Sequence, residues 1–166
     1  MRYAPAAAAL SLCLAMTASI SSAGDIGAAE PQAAALIAQG QAALAAGETQ
    51  AAIDAFEAAL AVDPGHTPIF IDLAEAARQS GLQGKAIRYY REALERDPDN
   101  FAAIAGEGSA LVEKGAIEKA KRNLAKLQSL CGDSCPETVA LQSSIARGPS
   151  PRLAVETAAE GAPATN

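Results

Sequence analysis

A pattern that occurs twice at a spacing of 34 residues constrains the fold of this chain more than any other feature. The stretch Gly81–Pro98 (GLQGKAIRYYREALERDP) shares its order of glycine, small, aromatic and proline residues with Gly47–Pro64 (GETQAAIDAFEAALAVDP). A weaker copy begins at Gly115. Self-similarity at such a period indicates a repeat protein, in which each unit packs mainly against its neighbours.

Equivalent positions of the copies hold residues suited to close helix packing. Apolar residues between them recur at three- and four-residue spacings, which indicates amphipathic helices. Each 34-residue unit is therefore predicted to contain two helices joined by a tight glycine turn, with an Asp-Pro closure in the first two units. The equivalent residues are Gly47, Gly81 and Gly115; Ala52, Ala86 and Ala120; Phe56, Tyr90 and Leu124; and Pro64 and Pro98.

The spacing resembles that of the tetratricopeptide repeat family, in which 34-residue helix pairs stack into a superhelix. Ala86, Tyr90 and Pro98 match the signature of its second helix, as do their equivalents in the first copy. The third copy departs from the pattern, with Glu107 where leucine is usual and no closing proline. The resemblance implies an all-α fold, an α-α superhelix of three helix pairs followed by a C-terminal capping helix.

The N-terminus has the layout of a secretory signal peptide. Arg2 precedes an apolar run centred on Ala6–Ile20, and Ser21-Ser22-Ala23 form a small-residue exit. A retained membrane anchor is the alternative, but the run is short for a spanning helix. We expect cleavage near Ala23, a periplasmic or secreted location, and no stable membrane span after cleavage.

The end of the third unit would expose an apolar surface, which we expect a capping helix to cover. Pro136 and Glu137 suit the first turn of that helix. Its predicted inner face holds Val139, Ala140, Leu141 and Ile145. The predicted organisation is a signal peptide over 1–23, a flexible lead-in over 24–32, units over 33–66, 67–100 and 101–134, a capping helix over 135–147 and a disordered tail over 148–166.

The composition suits closely packed helices and argues against nucleic acid as a partner. Half of the residues are apolar, most of these are alanine, and the net charge is −6. Alanine is the strongest helix former and occupies little volume. A surface that binds nucleic acid needs a basic footprint, which this balance of charge does not predict.

Basic residues gather on the predicted second helices, interleaved with glutamates. We interpret them as solvated convex faces with pairing between residues four apart. An acidic ligand or a lipid headgroup is the alternative. These residues are Arg88, Arg91 and Arg96, followed by Lys119, Lys121, Arg122 and Lys126.

Two cysteines remain after the predicted cleavage, in the turn LCGDSCPE. A structural disulfide between Cys131 and Cys135 is the favoured interpretation, because an exported protein meets an oxidising compartment. It would fix the third unit against the capping helix. A redox site and a metal site are the alternatives. Redox enzymes of the thioredoxin type have a two-residue spacing between the cysteines, and a metal site needs more ligands.

No other motif points to chemistry. His66 is the single histidine, and we interpret it as a loop residue between two units rather than a general base. Gly81–Lys85 lacks the spacing and the preceding strand of a nucleotide-binding loop. We therefore predict a protein that is not an enzyme, with no metal and no cofactor.

The resemblance places partner binding on the concave face, the inner surface formed by the first helix of each unit. The polar candidates are Gln41 in the first unit, Asp72, Glu75, Arg78 and Gln79 in the second, and Ser109 and Glu113 in the third. The apolar candidates are Ile37, Leu44, Ile71 and Val112.

One subset of the family clamps a C-terminal carboxylate with lysine and asparagine. The equivalent positions here hold other residues, which disfavours that binding mode. In addition, Asp72 with Glu75 would repel an acidic peptide. The positions concerned are Ile37, Gln41, Ile71, Glu75, Ala105 and Ser109.

The resemblance implies an exported, non-catalytic adaptor that binds a protein or peptide on its concave face, in envelope assembly or maturation. Two alternatives remain. One is a redox-active module that uses Cys131 and Cys135. The other is a structural element that associates with itself, so a homo-oligomer is possible.

Overall fold

The computed structural model describes residues 27–149, and in this range it contains seven α-helices and no strand. The predicted all-α superhelix is therefore confirmed. The signal peptide predicted over 1–23 and residues 150–166 of the predicted tail lie outside the described residues. The helices are α1 (Pro31–Ala45), α2 (Thr49–Val62), α3 (Pro68–Gln79), α4 (Gln83–Arg96), α5 (Phe101–Glu113), α6 (Ile117–Cys131) and α7 (Pro136–Arg147).

Consecutive helices form three antiparallel pairs, α1 with α2, α3 with α4, and α5 with α6. Each new pair packs against the second helix of the pair before it, and α7 packs on α5 and α6. The turn within each pair has glycine at a positive φ: +80° at Gly47, +78° at Gly81 and +80° at Gly115. Only glycine adopts this conformation without strain, so the repeated glycines fix where each first helix ends.

Two interfaces depend on the absence of a side chain. A Cβ atom added to Gly40 in α1 would lie 2.5 Å from a ring carbon of Phe56 in α2. A Cβ atom on Gly108 in α5 would lie 2.6 Å from Leu141 in α7. The small size of Gly40 and Gly108 therefore lets these helices approach closely.

The core follows the stack of pairs. Its first part lies around Phe56 and Leu73, and its second part lies around Phe70 and Tyr90. The third part, formed by Ile104, Leu127 and Leu141, joins the last pair to α7. Helix α7 thus covers the apolar end of the last helix pair, as the predicted capping role requires.

The inner face of α7 differs from the predicted one. Thr138, Leu141 and Ser144 are buried, whereas Ala140 is exposed and the Val139 side chain retains 47% of its accessible surface. Residues 138, 141 and 144–145 lie on one side of a helix with 3.6 residues per turn, and residue 139 lies about 100° away from 138. The prediction was right for Leu141 and Ile145 and wrong for Val139 and Ala140, because it selected the face by apolarity.

The N-terminal boundary also differs by two residues. Helix α1 begins at Pro31, so the last two residues of the lead-in predicted over 24–32 are helical. Proline is favoured in the first turn, where its missing N–H group has no intrahelical partner to lose.

Candidate functional site

The predicted binding residues lie on α1, α3 and α5, the first helix of each pair, as the repeat register requires. Gln41 and Gln79 are exposed, and the remaining polar candidates are half-buried. Ile37, Leu44 and Ile71 are half-buried as well, but Val112 is fully buried and offers no surface to a partner. Val112 was therefore a wrong candidate, because it packs in the core cluster of Tyr90 and Leu111.

Arg78 is the centre of a charged cluster that joins α3 to α5. Its Nε and Nη2 atoms donate to the two carboxylate oxygens of Glu75, at 3.0 and 2.7 Å. Its Nη1 atom donates to Glu113 Oε1 at 2.5 Å. A guanidinium group bound by two carboxylates on different helices has little rotational freedom, and bidentate pairs of this kind are the strong ones. The cluster therefore presents charge at fixed positions.

Glu75 receives further donors besides Arg78. Gln79 Nε2 donates at 3.1 Å, and the hydroxyl of Tyr90 donates at 3.2 Å. Burial opposes ionisation of Glu75, but the bonds from Arg78 and Gln79 outweigh it and hold its pKa below the usual value. Burial also opposes the charge on Arg78, yet Glu75 and Glu113 raise the pKa of that group. Both side chains are consequently charged at neutral pH, which suits ion pairing rather than proton transfer.

Tyr90 reaches Glu75 through a gap left by Gly106 of α5. A Cβ atom on Gly106 would overlap the tyrosine ring. Burial, together with the charge of Glu75, raises the pKa of Tyr90, so the phenol stays protonated and donates. The burial of Tyr90 agrees with the close helix packing predicted for its position, but its bond to Glu75 was not predicted. A mid-helix glycine at 106 is the signal that points to this contact.

Asp72 is the second acidic group of α3 on this face. It accepts a bond from Gln41 Nε2 of α1 at 3.4 Å, which links two predicted binding residues. Burial raises the pKa of Asp72, although the bond from Gln41 acts in the opposite direction. Among the described residues Asp72 forms no ion pair. Asp72, Glu75 and Glu113 thus place three carboxylates on this face beside the single guanidinium of Arg78.

A separate polar cluster lies around Glu107. This carboxylate is 8% exposed and accepts bonds from Arg91 Nε at 2.8 Å and Asn123 Nδ2 at 2.9 Å. Asn123 also donates to the backbone oxygen of Ile104 at 3.1 Å. The cluster ties α4, α5 and α6 together. Arg91 was predicted to be solvated and to form an ion pair with a residue four positions away on its own helix. Its side chain is half-exposed, but its ion-pair partner is on the next helix.

The two cysteines lie together between α6 and α7, as predicted. Their Cα atoms are 5.7 Å apart, a separation typical of disulfides. Cys131 ends α6 and Cys135 immediately precedes α7. Within residues 27–149 no group of three or more His, Cys, Asp or Glu side chains is arranged to hold a metal ion. The bridge itself stays a prediction.

Comparison with solved structures places the chain among helical repeat domains. The TPR domain of Sgt2 from Aspergillus fumigatus is 26% identical, with a TM-score of 0.64, over 84% of this chain and 90% of that one. The first TPR of Spaghetti (RPAP3), bound to the HSP90 peptide SRMEEVD, is 20% identical, with a TM-score of 0.64, over 74% and 96%.

A third similar structure is the Yersinia enterocolitica type III secretion chaperone SycD in complex with a peptide of the translocator YopD. It is 18% identical, with a TM-score of 0.62, over 82% of this chain and 99% of that one. No curated protein matches the chain significantly. None of the helices within residues 27–149 has the length and hydropathy needed to cross a membrane.

The family comparison agrees with the repeat register. A model described as tetratricopeptide repeat matches residues 21–67, 37–101 and 71–120, which together span more than half of the chain. The helix pairs, the glycine turns and the packing around Phe56 and Tyr90 follow the same period. The chain belongs to the tetratricopeptide repeat family.

Proposed function

We propose that this protein is an exported, non-catalytic adaptor that binds a peptide or protein segment on its concave face, in envelope assembly or maturation. The observation that carries the proposal is the Arg78 cluster. It fixes the charges of Glu75 and Glu113 at the junction of two repeats, beside half-buried apolar side chains such as Ile71. A rigid surface with ordered polar groups and apolar area suits recognition of an extended chain or a helix.

Two similar structures support this assignment. The first TPR of Spaghetti (RPAP3) is bound to an HSP90 peptide, and SycD is in complex with a translocator peptide. The same family of folds therefore binds peptides in different proteins.

A site-specific crosslinking experiment tests the use of this face. A photoreactive residue replaces Gln79, which is exposed on α3, and in a matched control it replaces Lys121, which is exposed on α6. We expect adducts in the native envelope from position 79 and not from position 121. Combined replacement of Glu75 and Arg78 by alanine should reduce those adducts. Equal labelling at both positions, or none at either, would contradict the proposal.

The exported location rests on the sequence of residues 1–23 and has its own test. Protein isolated from the native host should have the mass of a chain that starts near Gly24. A mass that includes residues 1–23 would contradict cleavage, and recovery in the cytosolic fraction would contradict export. Neither result would affect the peptide-binding part of the proposal.

A further inference from the structure

Helix α7 occupies the place of the first helix of a fourth unit. It packs on α5 and α6 as α5 packs on α3 and α4. Leu141 lies 34 residues after Glu107, which lies 34 residues after Leu73, and all three side chains are buried. The repeat register therefore continues into α7, and its outward face continues the concave face.

This register explains why Val139 is exposed. Val139 is equivalent to Ile37, Ile71 and Ala105, which form a row of half-buried apolar residues across α1, α3 and α5. Val139 retains 47% of its accessible surface and lies in register with this row, so the apolar row extends to a fourth helix.

The charges beside this row have one dominant sign. In the described part of the chain, Asp72, Glu75 and Glu113 lie beside one guanidinium, Arg78, which is already bound by two of these carboxylates, and the imidazole of His66 is close enough to act on Asp72. Helix α7 adds no negative charge at the position equivalent to Glu75, which holds the uncharged Ser143. Its last residue is the positively charged Arg147. The excess of negative charge is therefore greatest around α3. A cationic ligand complements it, because close charges of opposite sign attract and like charges oppose binding.

Building on the proposed function, we propose that the binding surface runs from α1 to α7 and accepts a segment of another protein that carries apolar side chains and more lysine and arginine than aspartate and glutamate. The apolar side chains contact the row from Ile37 to Val139, and a cationic side chain lies against Asp72 and Glu75. Residues 150–166 of the same chain fit less well, since they contain one arginine and two glutamates.

The test is a selection of random 12-residue peptides against the full chain, followed by affinity measurements on the enriched peptides. We expect lysine and arginine to exceed aspartate and glutamate in them, and apolar residues to recur. Val139→Ser should weaken binding about tenfold, whereas Leu130→Ser, a matched exposed position on α6, should change it less than about twofold. Asp72→Asn should weaken binding about fivefold, and Glu118→Gln on α6 should not.

The peptide SRMEEVD is the acidic comparison. It should not bind at concentrations that saturate the enriched peptides. The inference would be overturned if SRMEEVD bound as tightly as the enriched peptides. It would also be overturned if neither Val139→Ser nor Asp72→Asn weakened the binding of the enriched peptides. In both cases the proposal that the protein binds peptides would still hold. If no peptide is enriched, the proposed function itself fails.

Two further measurements test whether a second copy of the chain or residues 150–166 occupy this surface instead. In sedimentation experiments we expect a monomer. Self-association that Val139→Ser abolishes would instead show that a second copy of the chain occupies this surface, and it would overturn the inference. Removal of residues 150–166 should leave the affinity of the enriched peptides unchanged. A gain of about tenfold on removal would make the tail the occupant and overturn the inference.

Discussion

The junction between the first two helix pairs and the junction between the second and third are built differently. The first is an apolar cluster in which Phe56 packs with Ile69 and Leu73, and its side-chain hydrogen bonds, such as Gln41 to Asp72, lie on the exposed rim. The second holds Tyr90 where the first holds Phe56, and Tyr90 donates a part-buried hydrogen bond to Glu75 of the same helix pair.

Two half-buried ionic clusters accompany Tyr90 at the second junction, one around Arg78 and one around Glu107. Both join residues from helices of consecutive pairs. Apolar contacts alone allow some sliding, whereas ion pairs with defined geometry favour one arrangement, which is a role proposed for buried polar groups in other proteins. We infer that the first junction mainly contributes stability and that the second fixes the shape of the concave face.

The largest effect is expected at Glu107. Glu107→Ala leaves Asn123 and Arg91 without their shared acceptor, and it should lower the free energy of unfolding by about 2–4 kcal/mol, somewhat less than for a fully buried pair because Arg91 is half-exposed. Glu107→Leu restores the residue that is usual in the family at this position and should stay within about 1 kcal/mol of the original protein. Urea unfolding measures both variants.

The Glu107 variants also separate stability from shape. If the inference is right, Glu107→Leu keeps its stability but binds the enriched peptides more weakly, because the orientation of α5 relative to α4 is no longer fixed by an ion pair. Unchanged binding in a stable Glu107→Leu protein would show that the second junction does not set the shape of the concave face.

The next effect concerns Gly106. Gly106→Ala places a methyl group into the ring of Tyr90 and should cost about 1–2 kcal/mol, even though alanine favours a helix over glycine by up to about 1 kcal/mol. Gly84→Ala is the matched control in α4, where the added atom would meet only Lys114 Nζ at 3.7 Å. That change should raise stability by less than about 1 kcal/mol, because Gly84 lies in the first turn of α4 and not in the helix interior. Thermal unfolding of the two variants should therefore shift in opposite directions.

The pairing of helices follows directly from the sequence, because the features that specify it are local. A glycine at a positive φ ends each first helix, and the small and aromatic residues of each second helix recur at a fixed period. The concave candidates, from Gln41 to Glu113, could be assigned to their helices from the same register. Their use in binding is still a prediction.

The ionic clusters could not be predicted in this way. Arg78 and Glu113 are 35 residues apart, and Arg91 and Glu107 are 16 apart, while many other charged pairs lie at comparable distances along the chain. Periodicity assigns a helix and a face but does not say which charges meet. On α7 two of the four predicted inner residues were wrong, because the prediction relied on apolarity, whereas the buried side includes Thr138, whose hydroxyl lies 3.6 Å from the sulfur of Cys131.

A smaller effect should distinguish the two aromatic positions. Tyr90→Phe removes one donor from Glu75 and should cost about 1 kcal/mol, and it makes the second junction resemble the first. Phe56→Tyr is the reciprocal change, and it should be more costly, because the ring lies against Gly40 in an apolar cluster and the new hydroxyl would be buried there. A neutral Phe56→Tyr would contradict the contrast between the junctions.

The smallest effect is the pH dependence contributed by Glu75 and Asp72, which have opposite signs. The folded pKa of Glu75 is below its ordinary value of 4.5, so its contribution to stability is present above pH 4.5 and is lost as the pH falls through the folded pKa. The folded pKa of Asp72 is above 3.8, so ionisation of Asp72 disfavours the folded state, and acidification removes that penalty. Compared at pH 6 and pH 3 by urea unfolding, Glu75→Gln should lose less stability on acidification than the original protein, and Asp72→Asn should lose more. Shifts of the same sign in both variants would contradict the placement of Asp72 outside the Arg78 cluster.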